Sequence, residues 1–260
     1  MDNYPLREAG FVGTADDSYA LTAAGVARRY GRFWALRNCT FALAEGRVAA
    51  LVGPNGAGKT TLLTLIAGLA EPNEGRIEVF GRRMSGREPA ALADVGFVAQ
   101  EHPLYRGFTV SELLRMGRSL NRRWDQRLAL DRLERLEIPL NRRAGNLSGG
   151  QQAQVSLALA LAKQPRLLVL DEPLASLDPL ARREFLDRVS ETSRVDGLTV
   201  VFSSHVVTEL QQVCDYLLVL AGGRLRVAGP VRGLLAAAPP GSSVEELVLS
   251  HLRGRKEEVA

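Results

Sequence analysis

The sequence predicts an α/β fold built around a parallel sheet, and three observations carry the prediction. Residues 48–69 read as a short apolar strand, a glycine-rich loop and a helix with leucines on one face. Residues 166–173, RLLVLDEP, form a second apolar run that ends in two carboxylates, as a buried parallel strand does when it delivers acids to the carboxyl edge of a sheet. The remainder sorts by periodicity: β-like runs at 20–47 and 75–81, a helix-rich and arginine-rich stretch at 109–163, and strands returning at Arg166 and Leu198.

A chain of 260 residues, 46% hydrophobic and 24% charged, can build one globular core with an attached subdomain, which excludes disorder as its main state. No apolar run reaches the ~18 to 20 residues of a membrane-spanning helix. The opening MDNYPLREAG lacks the basic start and apolar segment of a secretory signal, so a cytoplasmic chain is expected. Cys39 and Cys214 are far apart with no CxxC or Cys/His cluster, so both are expected reduced and buried, with no zinc site or disulfide scaffold. The net charge of +4 is spread among acids, and no nucleic-acid partner is expected.

In the first element Gly53, Gly58, Lys59 and Thr60 fit G-x-x-x-x-G-K-[ST]. The loop runs Gly53, Pro54, Asn55, Gly56, Ala57, Gly58, Lys59, Thr60, Thr61; its glycines let backbone amides curl around phosphate oxygens, and the helix start adds partial positive charge. Lys59 is expected to reach the β and γ phosphates of a nucleoside triphosphate. The Thr60 hydroxyl is the expected protein ligand to Mg²⁺, a hard cation that keeps several waters. A loop that merely turns a corner is the bland alternative, and the full pattern between strand and helix points past it.

In the second element Asp171 is expected to hold Mg²⁺ through its water shell. Glu172 is placed to polarise or deprotonate the attacking water of an in-line phosphoryl transfer. An acid pair capping the next helix is the alternative. A third signal, NLSGGQ at 146–151, leads into a buried helix that ends before Pro165, with Ser148 as its N-cap. A serine hydroxyl, two glycines and free amides at a helix start make either a second anion site or an ordinary capped helix.

On these residues the chain resembles the nucleotide-binding subunit of an ABC transporter, of the bacterial kind that encodes ATPase and membrane subunits separately. The likeness runs from about Tyr30 to Gly229. GPNGAGKT resembles the family's Walker A, LSGGQ its signature, LLVLDEP its Walker B, SLDP its D-loop and SSH its histidine switch. Gln100, ending VGFVAQ, stands where the family has its Q-loop glutamine. Tyr30 looks like the aromatic that stacks on adenine, with Trp34 close by.

The resemblance implies a P-loop NTPase with a RecA-like α/β core, an antiparallel β subdomain and an inserted helical subdomain at about 101–163. The ATPase domain would span 20–229, after a leader at 1–19. Residues 230–260 would form a linker and a short helix, with a capping box from Ser242 to Glu245. The resemblance also implies ATP and Mg²⁺, with Thr60, Gln100 and Asp171 as protein contacts of the metal. It implies a second ATPase subunit: Ser148, Gly149, Gly150 and Gln151 face the γ-phosphate held by the partner subunit's Lys59. His205 would hold the attacking water with Glu172, and Asp178 would connect the two sites across the dimer.

The further partner is an integral membrane permease, which would place the chain at the cytoplasmic face of the membrane. Leu104, Tyr105 and Phe108 either contact a short coupling helix of that permease or pack beneath their own loop. The wording most resembles ABC-2 type exporters of drugs, peptides or lipids. A soluble ABC ATPase of translation or DNA maintenance is the alternative; such proteins carry two cassettes or inserted coiled coils or zinc modules, and no second P-loop or such insertion is found here.

Ala153, Gln154 and Leu159 depart from the glutamine and arginines common after the signature, and Ala175 and Ser176 from a serine and glycine in the D-loop. The groups of the chemistry are present, so a competent ATPase is expected. Acids interleaved through 115–143 predict a solvated helical face with pairs such as Asp131 with Arg135, and His102 and His251 are expected at the surface or an interface.

Overall fold

The computed structural model describes residues 18–85, 89–175, 177, 179–205, 207 and 213–253. Most of the leader and Asp178 of the D-loop lie outside the described residues. Two sheets organise the chain. The first is antiparallel, in the order β2 (Phe33–Ala44), β1 (Tyr19–Tyr30), β4 (Glu74–Val79), β5 (Arg82–Arg83). Its 12-residue hairpin strands are longer than the short runs their sequence suggests. Register shifts between Ala23 and Val26, near the left-handed Gly25 and Asn38, interrupt the period-two alternation that would have revealed them.

The second sheet runs β10 (Arg224–Pro230), β9 (Tyr216–Ala221), β3 (Val48–Val52), β8 (Thr199–Ser204), β7 (Leu167–Leu170), β6 (Val95–Val98). All its pairings are parallel except β10 with β9. Strand β3 is buried throughout. Its Ala49 and Leu51 face the cluster shared with β1, β2 and helix α1 (Lys59–Ile66), and its Val48, Ala50 and Val52 face the opposite cluster. Burial on both faces is why β3 reads as a continuous apolar run.

Helix α1 stops at Ile66, three residues short of the predicted end. Gly68 turns left-handed, the Gly68 amide donates to Leu65 O and the Leu69 amide to Thr64 O, which together close the helix as a Schellman cap. The short helix α2 (Pro89–Ala93) precedes β6. Helices α3 (Val110–Leu120), α4 (Gln126–Arg135) and α5 (Gly149–Ala162) build a third core from Val110, Leu113, Leu133, Val155 and Ala158. Thr109 caps α3 with a capping box and Asp125 caps α4. Asp131 pairs with Arg127 at 3.6 Å, not with Arg135, whose Nε donates to the Asp131 carbonyl instead.

Helix α6 (Pro179–Asp196) packs Phe185, Leu186 and Val189 on the far face of the parallel sheet. Beyond β10 the chain forms two helices, α7 (Val231–Ala237) and α8 (Val244–Arg253), where a linker and one helix were expected. Helix α8 is anchored on the sheet by Val244, Leu247 and Val248. Its capping box pairs Ser243 with Glu246, one residue on from the predicted pair. Both cysteines are free and buried. No helix among the described residues is long and apolar enough to cross a membrane.

Candidate nucleotide site

The loop after β3 is shaped by close backbone approach. A Cβ on Gly53 would lie 2.1 Å from Leu220 O, and one on Gly58 would lie 2.5 Å from Ala35 O. Gly58 has φ +105° and caps α1 without a side-chain hydrogen bond, so the first-turn amides of α1 are left for an external acceptor. Lys59 is buried at the first helical position. Its Nζ donates to Gly53 O at 2.8 Å and Pro54 O at 3.4 Å and lies 3.6 Å from Glu172 Oε1. The ammonium is therefore held against the glycine-rich turn, beside the Glu172 carboxylate.

The end of β7 supplies the acids. Asp171 is 1% exposed, and its Oδ1 accepts from Ser203 Oγ at 2.7 Å. Ser203, on the neighbouring strand β8, accepts in turn from the Glu172 amide at 2.7 Å. That bond holds Glu172 at φ +47°, a left-handed conformation that costs a non-glycine residue about 1 kcal/mol. The Glu172 carboxylate then bridges two groups, Lys59 through Oε1 and the ring of His205, whose Nδ1 lies 2.8 Å from Oε2.

Lys59, Glu172 and His205 face a cavity of about 760 Å³. Tyr30 and Phe33 stand at the hairpin end, residues 55–61 line its floor, and Gln100, Glu172 and His205 close the other side. Gly53 and Pro54 act through the carbonyls that hold Lys59. A second cavity of about 830 Å³, sharing Thr60 and Gln100 with the first, is lined by Thr60, Gln100 and Asp171, a hydroxyl, an amide and a buried carboxylate. That hard-oxygen set suits Mg²⁺, which takes few protein ligands. Leu104, Ser156, Leu159 and Lys163 also line this cavity.

Ser148, Gly149, Gly150 and Gln151 line neither cavity. Ser148 caps α5 by accepting from the Gln151 amide at 3.2 Å, and Gln151 Oε1 accepts from the Ser148 amide at 3.1 Å. Ser148 and Gly149 are exposed. The chain thus gathers Lys59, Glu172 and His205 at one cavity and leaves its serine-led helix tip exposed outside it.

Residues 36–175 match the model of a known family, the ABC transporter family. The chain belongs to the ABC transporter family. This ABC ATPase is 37% identical over 221 residues to the Nod factor export ATP-binding protein I of Rhizobium johnstonii, a match that covers 83% of the chain and 71% of that protein. It is 34% identical over 230 residues to the phosphonates import ATP-binding protein PhnC of Rhizobium meliloti, covering 82% of each. Its fold matches a dimeric ATP-binding cassette in a post-hydrolysis state bound to ADP and Pi, at TM-score 0.73 and 26% identity, over 82% of this chain and 99% of that one.

Two groups of the ABC ATPase's site had no role assigned from the sequence. Ser203 lies in the SSH motif, but its bonds to Asp171 and Glu172 depend on β7 and β8 being neighbours. Phe33 is 66% exposed and lines the cavity with Tyr30, whereas Trp34 lies under the Arg29 guanidinium at 5.4 Å. The signal was present in YGRFW but not which aromatic faces the site. His102 corrects an expectation: it is 6% exposed, at φ +44°, and its burial lowers the imidazole pKa. Leu104 packs into the helical core, while Tyr105 and Phe108 are exposed and stacked at 5.4 Å.

Proposed function

We propose that this ABC ATPase works as one of two subunits that close head to tail on ATP and Mg²⁺ at the cytoplasmic face of a membrane, driving a separate permease of exporter type. One observation carries the reading: the Ser148 helix tip is exposed and lies outside its own chain's open triphosphate cavity, as a tip that completes a second copy's site must. The dimeric cassette with ADP and Pi is consistent with that arrangement.

Tyr30, with Phe33 beside it, stacks on the base. The amides of residues 56–61 and the Lys59 ammonium bind the phosphate oxygens, displacing Lys59 from its resting contacts on Gly53 and Pro54. Thr60, Gln100 and Asp171 would hold Mg²⁺, which neutralises charge on the phosphates when bound. Glu172 orients the attacking water and accepts its proton. His205, held at the other Glu172 oxygen, donates to the γ-phosphate in the closed site. The partner's Ser148, Gly149, Gly150 and Gln151 complete the γ-phosphate shell, with Asp178 between the two sites.

The permease would dock at the groove lined by Gln100, Leu104 and Leu159, a reading supported by the exposure of the nearby Tyr105 and Phe108. The choice of an exporter of a drug, peptide or lipid rests on the wording of the sequence around Walker A and the D-loop, since the similar proteins include both an export and an import subunit. Lys59→Ala is expected to lose ATP binding by equilibrium dialysis, and Glu172→Gln to retain ATP while hydrolysis falls by at least about a hundredfold. Unchanged affinity in the first or normal turnover in the second would refute these roles. Co-purification with an integral membrane protein supports the permease; recovery of ribosomes or DNA in its place overturns it.

A further inference from the structure

A second polar cluster sits away from the nucleotide cavity, in the cleft between the helical core and α6. Its mouth, about 710 Å³, is lined by Arg132 and Arg135 of α4, Gln154 of α5, and Arg188 of α6. Below it an apolar slot of about 180 Å³ opens between Leu157, Leu161, Leu168, Phe185 and Val189, and the same three arginines edge that slot.

Arg132 is the informative residue. It is partly buried, its Nη2 donates to Gln154 Oε1 at 2.8 Å, and its Nε is fully buried with no acceptor. None of the three guanidinium groups forms an ion pair with a described residue, although Asp187 and Glu191 share the cleft mouth. Burial, with repulsion from Arg188 and Arg135, lowers the Arg132 pKa to about 10. A buried donor and a partly desolvated cation lacking a carboxylate are unfavourable unless an anion joins them. Guanidinium forks match carboxylate and phosphate oxygens two at a time.

We propose that this cleft binds a small amphiphilic anion, its carboxylate or phosphate head held by Arg132, Arg135 and Arg188 and its short apolar chain in the slot floored by Leu157, Leu161 and Phe185. The seat spans α5, which begins at the exposed Ser148 tip, and α6, which packs on the parallel sheet. A ligand there adds polar contacts between α4 and α6 to the apolar ones that Leu157 and Ala160 of α5 already make with the sheet-side cluster. The slot is too narrow for a polymer, and a bare anion would leave its apolar walls unfilled.

The test is equilibrium binding to the full chain by calorimetry, using octanoate, octyl phosphate, octanol and inorganic phosphate as probes. Octanoate or octyl phosphate is expected to bind, with octanol and inorganic phosphate each weaker by at least about tenfold. Which of the two binders is tighter distinguishes a carboxylate from a phosphate head. The exposed Arg188→Glu and the partly buried Arg132→Gln are each expected to weaken binding by at least about tenfold. Arg188→Glu should do so with an unchanged melting temperature, so the outcome does not depend on Arg132→Gln folding. No binding by either charged amphiphile, equal binding by octanol or inorganic phosphate, or binding unaltered in Arg188→Glu would overturn the proposal.

Discussion

At Gly53 a single methyl group decides whether the phosphate loop can form. A Cβ there would stand 2.1 Å from the Leu220 carbonyl, a backbone atom that cannot swing aside. Gly53→Ala is expected to cost about 2 kcal/mol or more in urea unfolding and to weaken ATP binding with it. Ser203→Ala cuts the relay joining Asp171 to the Glu172 amide. It is expected to cost about 1 to 2 kcal/mol of stability and to slow kcat by about tenfold while ATP affinity changes little. His102 gives a pH dependence of defined sign. Its folded pKa is depressed below 6.5, so the unfolded chain binds the proton more readily and stability falls as pH drops through about 6.5. Replacing His102 with Asn should flatten that acid limb in melting scans. That Lys59 and Glu172 belong to one candidate site was legible because each sits in a contiguous motif, and the structure brings them within 3.6 Å. Ser203 and the burial of His102 were not, since each depends on which distant strand or loop lies against it.

Helices in this chain are set by local chemistry where caps are strong and by tertiary contact where they are not. The capping boxes at Thr109 and Ser148 are written in four-residue patterns; of these only Ser148 was named from the sequence, as the N-cap of α5. The end of α1 was misjudged because Leu69 continues the apolar pattern while Gly68 turns the backbone, and the exposed Leu69 lies past the cap. The α3–α4 corner depends on a contact no pattern announces: a Cβ on Gly117 would meet the Trp124 ring at 2.3 Å. Gly117→Ala is expected to destabilise the helical core by about 1 to 3 kcal/mol against a helix-propensity gain of up to about 1. Faster hydrogen exchange confined to α3 and α4 would register it. Exchange that stays at the wild-type rate would show that Trp124 moves aside at no cost.

The described residues form three packed cores, and the candidate nucleotide cavity opens where the parallel sheet meets α1. The parallel sheet and α1 bring Lys59, Asp171, Glu172 and His205 together from strands β3, β7 and β8, while the helical core carries Ser148 on a separate face. Fold class was legible from the two doubly buried strands and the helix-rich block. The two-helix end of the chain was hidden, because Pro239, Pro240 and Gly241 look like linker while Val244 and Val248 are placed in the core only by the sheet they meet. The proposed assembly, in which each copy completes the other's site, rests on this separation of Lys59 from Ser148. The most direct measurement is sedimentation of Glu172→Gln with and without ATP and Mg²⁺, repeated in a Glu172→Gln, Ser148→Arg double variant. The account predicts a dimer that forms only with nucleotide and is lost when Ser148 is replaced. A chain that stays monomeric with bound ATP, or a dimer indifferent to Ser148, would contradict it.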